Sequence, residues 1–356
     1  MVTMTYTIKI EPTGHLFTAA PGESVLAAAL RHGLVIPYSC RGGSCGTCMG
    51  KIVEGDVRYP GNRLPPALDE TQAAVGQALL CLAEPVSDLA IEVREVRDAG
   101  DIMPRKLPCR VDKMEPLAHD VMGLYLKLPE TERLQFLPGQ YIDVLLRDGR
   151  KRSYSLANAP FDDALLELHV RNVPGGRFSA RVFGDMKEKA LLRLEGPLGS
   201  FRLREESHRP IIMIAGGTGF APIKSMLEHA FATGLVGDAD EQRPVHFYWG
   251  VRAARDLYLD TLPRRWAGQH PGFRYTPCLS EPVPADKWPG RIGLVHNMVL
   301  MDYEDLSGHD IYISGPPGLI QAAKRDFARH GMPGDRFFFD SFEYAADAPG
   351  EGPVNA

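Results

Sequence analysis

The sequence predicts a multidomain protein of mixed α+β and α/β class: a small β-grasp domain, an all-β barrel, and a doubly wound α/β domain. Three observations carry that reading. The chain has 356 residues, 44% apolar and 24% charged, too long for one ordinary domain and ample for separate cores. Its hydrophobic pattern changes twice, once across a stretch with glycine and two prolines (Arg97 to Pro108) and again at Pro210. The first segment alone carries three closely spaced cysteines. These features place domains at 1–97, 109–207 and 208–345, a linker at 98–108 and a tail at 346–356.

The first module opens with alternation of Val2, Met4, Tyr6, Ile8 and Ile10 with threonines and Lys9, which predicts a half-buried strand. Pro12 to Gly14 turns the chain into a second short strand through Phe17. Ser24 is placed to cap a helix over Val25 to His32, with Gly33 as its stop. Strand-like Lys51 to Val53 and Leu89 to Val93 complete a β-grasp order, and Cys81 is expected just after a short helical stretch.

Between Pro37 and Gly50 runs PYSCRGGSCGTCMG. Cys40, Cys45 and Cys48 have the spacing Cys-x4-Cys-x2-Cys, and Cys81 follows 33 positions later. This is the plant-type ferredoxin spacing for four thiolates around a [2Fe-2S] cluster. A zinc site usually pairs two short-spaced cysteine clusters, whereas here the fourth cysteine stands alone. Glycines in the loop let the backbone approach inorganic sulfide closely. The remaining two, Cys109 and Cys278, sit in apolar, strand-like contexts and read as buried thiols.

From Cys109 to about Ser207, VMGLYLKL, QYIDVLL and ALLELHV alternate or run apolar, as barrel strands do. Within them stand Pro138-Gly139-Gln140-Tyr141, Arg152-Ser153-Tyr154-Ser155, Pro174 to Ser179 (PGGRFS) and Gly196 to Phe201 (GPLGSF). From Pro210, apolar strands (IIMIA, VHFYWG, FRYTPCL, DIYISG) alternate with helical stretches. The glycine turn Gly217-Thr218-Gly219-Phe220-Ala221-Pro222 lies between a strand and a helix, with proline in the helix's first turn where no amide is lost.

Together these motifs resemble the ferredoxin-NADP reductase superfamily, and nearly the whole chain, residues 1 to about 345, resembles its NAD(P)H-dependent iron-sulfur flavoprotein reductases. The resemblance implies FAD, with Arg152 on its pyrophosphate, Tyr154 packed on flavin and ribitol, and the Ser155 hydroxyl near the reactive N5. Gly175, Gly176 and Ser179 would start a helix, running to about Met186, on the phosphates, and His169, Val170 and Arg171 would line the same cofactor. Gly217, Thr218 and Gly219 would receive the nicotinamide nucleotide's pyrophosphate. The family's Cys-Gly-Pro-Pro is here Ser314-Gly315-Pro316-Pro317, a smaller and less polarizable hydroxyl beside the nicotinamide. Ser155 and Ser314 are thus the candidate catalytic residues, Gly315 and Pro316 cofactor contacts, and Phe342 a candidate cover for the flavin. Phe337 to Phe339 read as the last core strand.

The resemblance further implies electron transfer from NADH through FAD and the cluster to a partner protein, first a terminal oxygenase. A deoxysugar dehydratase, or a small acceptor such as a quinone, stands as the alternative, and so does a mere electron carrier with a disabled nucleotide loop. NADPH stays open: Arg252 and Arg255 could hold a 2′-phosphate, while GVR-x3-DLY resembles NADH-using relatives. The rim from Arg41 to Thr47 is the expected docking face. No general acid or nucleophile is needed, so His119, His246, His296 and His330 read as packing or surface residues. A net charge of −5 with no basic block argues against nucleic acid. The regular N-terminal alternation argues against a signal peptide, and no apolar run suits a membrane. A reducing cytoplasm is the expected home.

Overall fold

The computed structural model describes residues 5–34, 36–38, 41, 43, 46–93, 102–237 and 242–342. They fall into two compact units, one holding residues up to 104 together with Leu128–Phe136 and Pro160–Ala164, the other the remainder.

The first unit contains β1 (Tyr6–Glu11), β2 (Leu16–Ala19), α1 (Val25–Arg31), β3 (Met49–Glu54), β4 (Val57–Arg58), α2 (Glu70–Ala74), β5 (Gln77–Leu79), β6 (Glu84–Pro85) and β7 (Leu89–Glu92). Five strands form a sheet ordered β2-β1-β7-β3-β5, with β1 and β7 parallel. Alternation sends Ile8 and Ile10 into the core, where α1 buries Val25, Leu26, Ala28, Ala29 and Leu30. Ser24 caps α1 by accepting the Ala27 amide at 3.2 Å, and Gly33 leaves it at φ +76°, where a side chain would be strained. Cys81 comes directly after β5 rather than after a helix, because Gln77–Leu79 pairs with β3.

The second unit begins with β8 (Arg105–Pro116), β9 (Val121–Lys127), β10 (Tyr141–Leu145), β11 (Lys151–Ser155), β12 (Leu166–Arg171), α3 (Arg177–Phe183) and β13 (Leu191–Leu198). The strands form an antiparallel sheet ordered β11-β10-β13-β8-β9-β12. A Leu156–Leu168 bridge joins its two edges, which closes the expected barrel. Four residues expected in the linker, Arg105 to Pro108, are strand instead, paired with β13. Over that stretch β8 is paired on one side only, where proline is tolerated. The helix expected to reach Met186 stops at Phe183, with Gly184 following.

Next come β14 (Ile211–Gly216), α4 (Phe220–Ala232), β15 (Val245–Val251), α5 (Thr261–Gln269), β16 (Phe273–Leu279), β17 (Arg291–Ile292), α6 (Val295–Asp302), β18 (Asp310–Gly315), α7 (Pro317–Ala328) and β19 (Phe337–Ser341). The sheet is parallel throughout, ordered β17-β16-β15-β14-β18-β19. Both faces are covered at its centre, so β14, β15 and β18 are buried along nearly their whole length rather than on alternate residues. Met213, Ala215 and Trp249 pack against Ile223, Met226 and Leu227 of α4. Ile212, Ile214 and Ile313 pack against Val299 of α6 and Phe327 of α7. Cys109 and Cys278 are buried as expected, and burial pushes both thiols up to about 12. The strand order reverses at β14, so a crevice opens at the carboxyl ends of β14 and β18. No helix among the described residues is long and apolar enough to cross a membrane.

Candidate functional site

That crevice is a cleft of about 580 Å³ between the barrel strands β10 to β12 and the parallel sheet, a size ordinary for small-ligand sites. Arg152, Tyr154 and Ser155 reach it from β11, His169 and Arg171 from β12, Gly176 and Ser179 from the turn into α3, and Thr218 and Pro316 from the parallel sheet's loops. Phe339 to Phe342 form its far wall. The Tyr154 and Phe178 rings lie 5.5 Å apart at 47°, a tilted aromatic pair at the cleft.

The glycine turn is held from both sides. Trp249 donates its indole N–H to the Gly217 carbonyl at 2.9 Å. A Cβ on Gly219 would stand 2.0 Å from the Ser314 carbonyl oxygen, so the turn closes on β18 only without a side chain. Gly217 takes φ +56°, with the Arg171 guanidinium 3.2 Å from the position its Cβ would occupy. Arg171 is itself oriented by Asp120, to which its Nε donates at 2.9 Å.

Ser155 donates its hydroxyl to Asp340 Oδ2 at 2.9 Å. Burial pushes the Asp340 carboxyl up to about 6, opposed only in part by that hydrogen bond. Asp340 lines the cleft without a role assigned from sequence, and Tyr141, noted there only as part of the Pro138 to Tyr141 motif, lines it too. The one signal for Asp340 is its place as the single acid in the aromatic run FFFDSF.

Several expected contacts stand elsewhere. Val170 alternates away from the cleft into the barrel core, fully buried. Gly175, Gly217, Gly219 and Gly315 shape turns behind the cleft without lining it, while Thr218, Gly216 and Pro316 face it. Ser314 does not reach the cleft: it is fully buried in β18, and its hydroxyl has no hydrogen-bond partner among the described residues. Ser179 lines the cleft, yet its hydroxyl is engaged at 3.1–3.3 Å by Gly176 and Val173, closing the turn. Phe342 lies on the wall as expected, its amide donating to the Gly315 carbonyl at 2.9 Å.

In the first unit, Cys48 and Cys81 are buried, and both act electrostatically on Tyr59, whose hydroxyl accepts the Leu79 amide at 3.1 Å. The Leu80 amide reaches the Cys48 carbonyl at 3.1 Å, binding the two stretches. Cys40 and Cys45 lie outside the described residues. Gly43 at φ +72° packs so tightly under the loop that a Cβ would meet Leu82 and Pro65 at 2.7 Å. A pair of buried thiols beside a loop this close suits iron-sulfur ligation.

Arg41 corrects one expectation. Instead of forming an exposed rim, it turns inward over the Tyr38 ring, 4.8 Å away, and pairs with Asp163 at 2.9 Å. Asp163 is buried, and Arg133 approaches the same carboxylate oxygen at 3.9 Å. Tyr38 is pinned by its amide to Gln135 at 3.1 Å.

Comparison with known proteins agrees with this architecture. Residues 8–86 match a 2Fe-2S iron-sulfur cluster binding domain, residues 108–203 an oxidoreductase FAD-binding domain, and residues 213–325 an oxidoreductase NAD-binding domain. The chain is 39% identical over 339 residues to the CDP-6-deoxy-L-threo-D-glycero-4-hexulose-3-dehydrase reductase of Yersinia pestis, covering 95% of this chain and 99% of that one. It is 35% identical to the reductase component 1 of terephthalate 1,2-dioxygenase from Comamonas sp, covering 95% and 98%. Among solved structures, the Amycolatopsis cytochrome P450 reductase GcoB superposes with a TM-score of 0.61 at 32% identity, covering 95% of this chain and 99% of that one. The cofactors are a [2Fe-2S] cluster, FAD and NAD. With its three domains in this order and relatives matched end to end, the chain belongs to the iron-sulfur flavoprotein reductases, which pass electrons from NADH through FAD and a [2Fe-2S] cluster to a partner protein.

Proposed function

We propose that the electrons leave this protein for a terminal oxygenase. The observation supporting that reading is end-to-end similarity to reductase components of oxygenases, including the Comamonas terephthalate 1,2-dioxygenase component. A second reading, reduction of a sugar dehydrase, is favoured by the 39% identity to the Yersinia dehydrase reductase. Rapid mixing of NADH-reduced protein with each acceptor separates them. Reoxidation by an oxygenase component and none by the dehydrase supports the first, and the reverse overturns it.

Within that function we assign Cys40, Cys45, Cys48 and Cys81 to the cluster, and place the domains at 1–97, 105–207 and 208–345, the barrel beginning at Arg105 because β8 pairs with β13 from there. Work in a reducing cytoplasm would keep those thiolates available to iron. FAD, when bound, supplies the conversion between a two-electron hydride donor and one-electron acceptors. The residues around the cleft supply position. Arg152 and the start of α3 offer a cation and free amides to phosphate. Tyr154, Phe178 and Phe342 present apolar faces that exclude water. Thr218 and Pro316, at the ends of β14 and β18, bound the side of the cleft open to a nicotinamide. Ser155 donates its hydroxyl proton to the Asp340 carboxylate, and below about pH 6 that carboxyl takes up a proton of its own.

A further inference from the structure

Behind the His169 wall of the cleft lies a buried polar network that the electron-transfer function does not use. Glu167 and His169 stand on β12, Lys224 and Glu228 on α4, and Tyr258 after β15. The Glu167 carboxylate accepts from His169 Nε2 at 2.9 Å and from Lys224 Nζ at 2.9 Å. Lys224 also donates to Glu228 at 3.1 Å and to the Ala157 carbonyl at 3.2 Å. Because a carboxylate only accepts, His169 Nε2 carries a proton, and Nδ1, 3.0 Å from the Tyr258 hydroxyl, is left as that hydroxyl's acceptor. The His169 side chain has no exposure, and Lys224 is 9% exposed.

Buried charges this close persist only when each has a partner. They join a barrel strand to the helix that starts at the glycine turn. Next to Lys224, Ser225 adds a second tie, donating to the Asn158 carbonyl at 2.8 Å.

We propose that Lys224 and Glu167 are positioning residues for the cleft: the ammonium keeps Glu167 a carboxylate and His169 neutral, locking β12 to α4. The glycine turn and the flavin-facing wall then keep one relative position. The charged groups around His169 are Glu167 from β12 and Lys224 and Glu228 from α4, with the titratable Tyr258 and, across β9, Tyr125, which pairs with Glu167. Burial would raise the Glu167 carboxyl, yet the hydrogen bond from His169 and the Lys224 charge hold it down at about 2. Burial lowers His169 against the raising influence of Glu167, and Lys224 lowers it further.

This rests on the reading that the cleft takes FAD, so one arm of the test needs no flavin. In the full-length apoprotein, labelled-histidine NMR follows His169, identified by the signal lost in His169→Gln. Lys224→Met leaves the buried Glu167 carboxylate without its cation, so the imidazole is expected to titrate at least about one pH unit higher, a tenfold change in protonation. Glu167→Gln moves it the opposite way, and Lys224→Arg restores native behaviour. In the FAD-loaded protein, the flavin potential falls in Lys224→Met and rises in Glu167→Gln. Native His169 titration in Glu167→Gln, with only a lower melting temperature, overturns the proposal even where Lys224→Met fails to fold. Opposite NMR shifts with unchanged flavin potentials keep the lock and instead overturn the placement of FAD in this cleft.

Discussion

Ser155 on β11 and Asp340 on β19 share one hydrogen bond of 2.9 Å, which makes a barrel strand and the edge of the parallel sheet meet at a single proton. The folded-state value of Asp340, about 6, lies above its ordinary 3.8. Whatever stability its protonated form contributes is fully present below that ordinary value and is lost as pH rises through about 6. Asp340→Asn removes the loss. Relative to the native protein it should gain up to about 3 kcal/mol between pH 4 and pH 8, from a displacement of roughly two units. Urea midpoints at the two pH values measure it, and equal differences at both would refute it.

Cys48→Ser or Cys81→Ser should abolish the cluster's visible and EPR signals while NADH still bleaches the flavin. Electron delivery to a protein acceptor is then lost, because the thiolate set is broken. A normal EPR signal in either variant would remove that residue from the ligand set.

At the glycine turn, Gly219→Ala forces a methyl to 2.0 Å from the Ser314 carbonyl, a backbone atom that cannot rotate away. The expected cost is about 3 kcal/mol, with weakened NADH binding. Gly318→Ala in α7 meets nothing within 4 Å and should stabilise by about 0.5–1 kcal/mol. Thermal unfolding of the pair, alongside NADH titration, tests the contrast.

Removing the Asp163 carboxylate strands a guanidinium whose Nε and Nη2 are already buried with no hydrogen-bond partner among the described residues. Asp163→Ala should destabilise the first unit by roughly 2–3 kcal/mol, after allowing for the partial exposure of Arg41. Loss of cluster absorbance at lower urea than in the native protein is the expected sign.

Much of this was legible from residue order because the chemistry is local. Cysteine spacing alone points to a 2Fe-2S domain, which residues 8–86 match, and a strand, glycines and a helix-starting proline mark the nucleotide turn. What stayed hidden depends on distant partners. Arg41 reads as a rim residue until Asp163, far downstream, turns it inward. Val170 sits inside a cofactor motif, yet strand alternation points it to the core. Asp340 reads as part of a core strand, since nothing in FFFDSF announces that Ser155 will stand opposite. Ser314 occupies the motif position, but the surrounding sheet seals it off.

The wall formed by Phe339 to Phe342 has one more consequence, for the order of biosynthesis. Domains fold from the N-terminus as synthesis proceeds, and β19 is translated after every other wall of the cleft described above. Barrel and glycine turn therefore exist first as an open half-site. Only when β19 docks beside β18, and the Phe342 amide finds the Gly315 carbonyl, is the cleft complete. On the proposed placement of FAD, its chamber is complete only after β19 has docked, so a chain cut before Phe339 is expected to retain less FAD than the full chain.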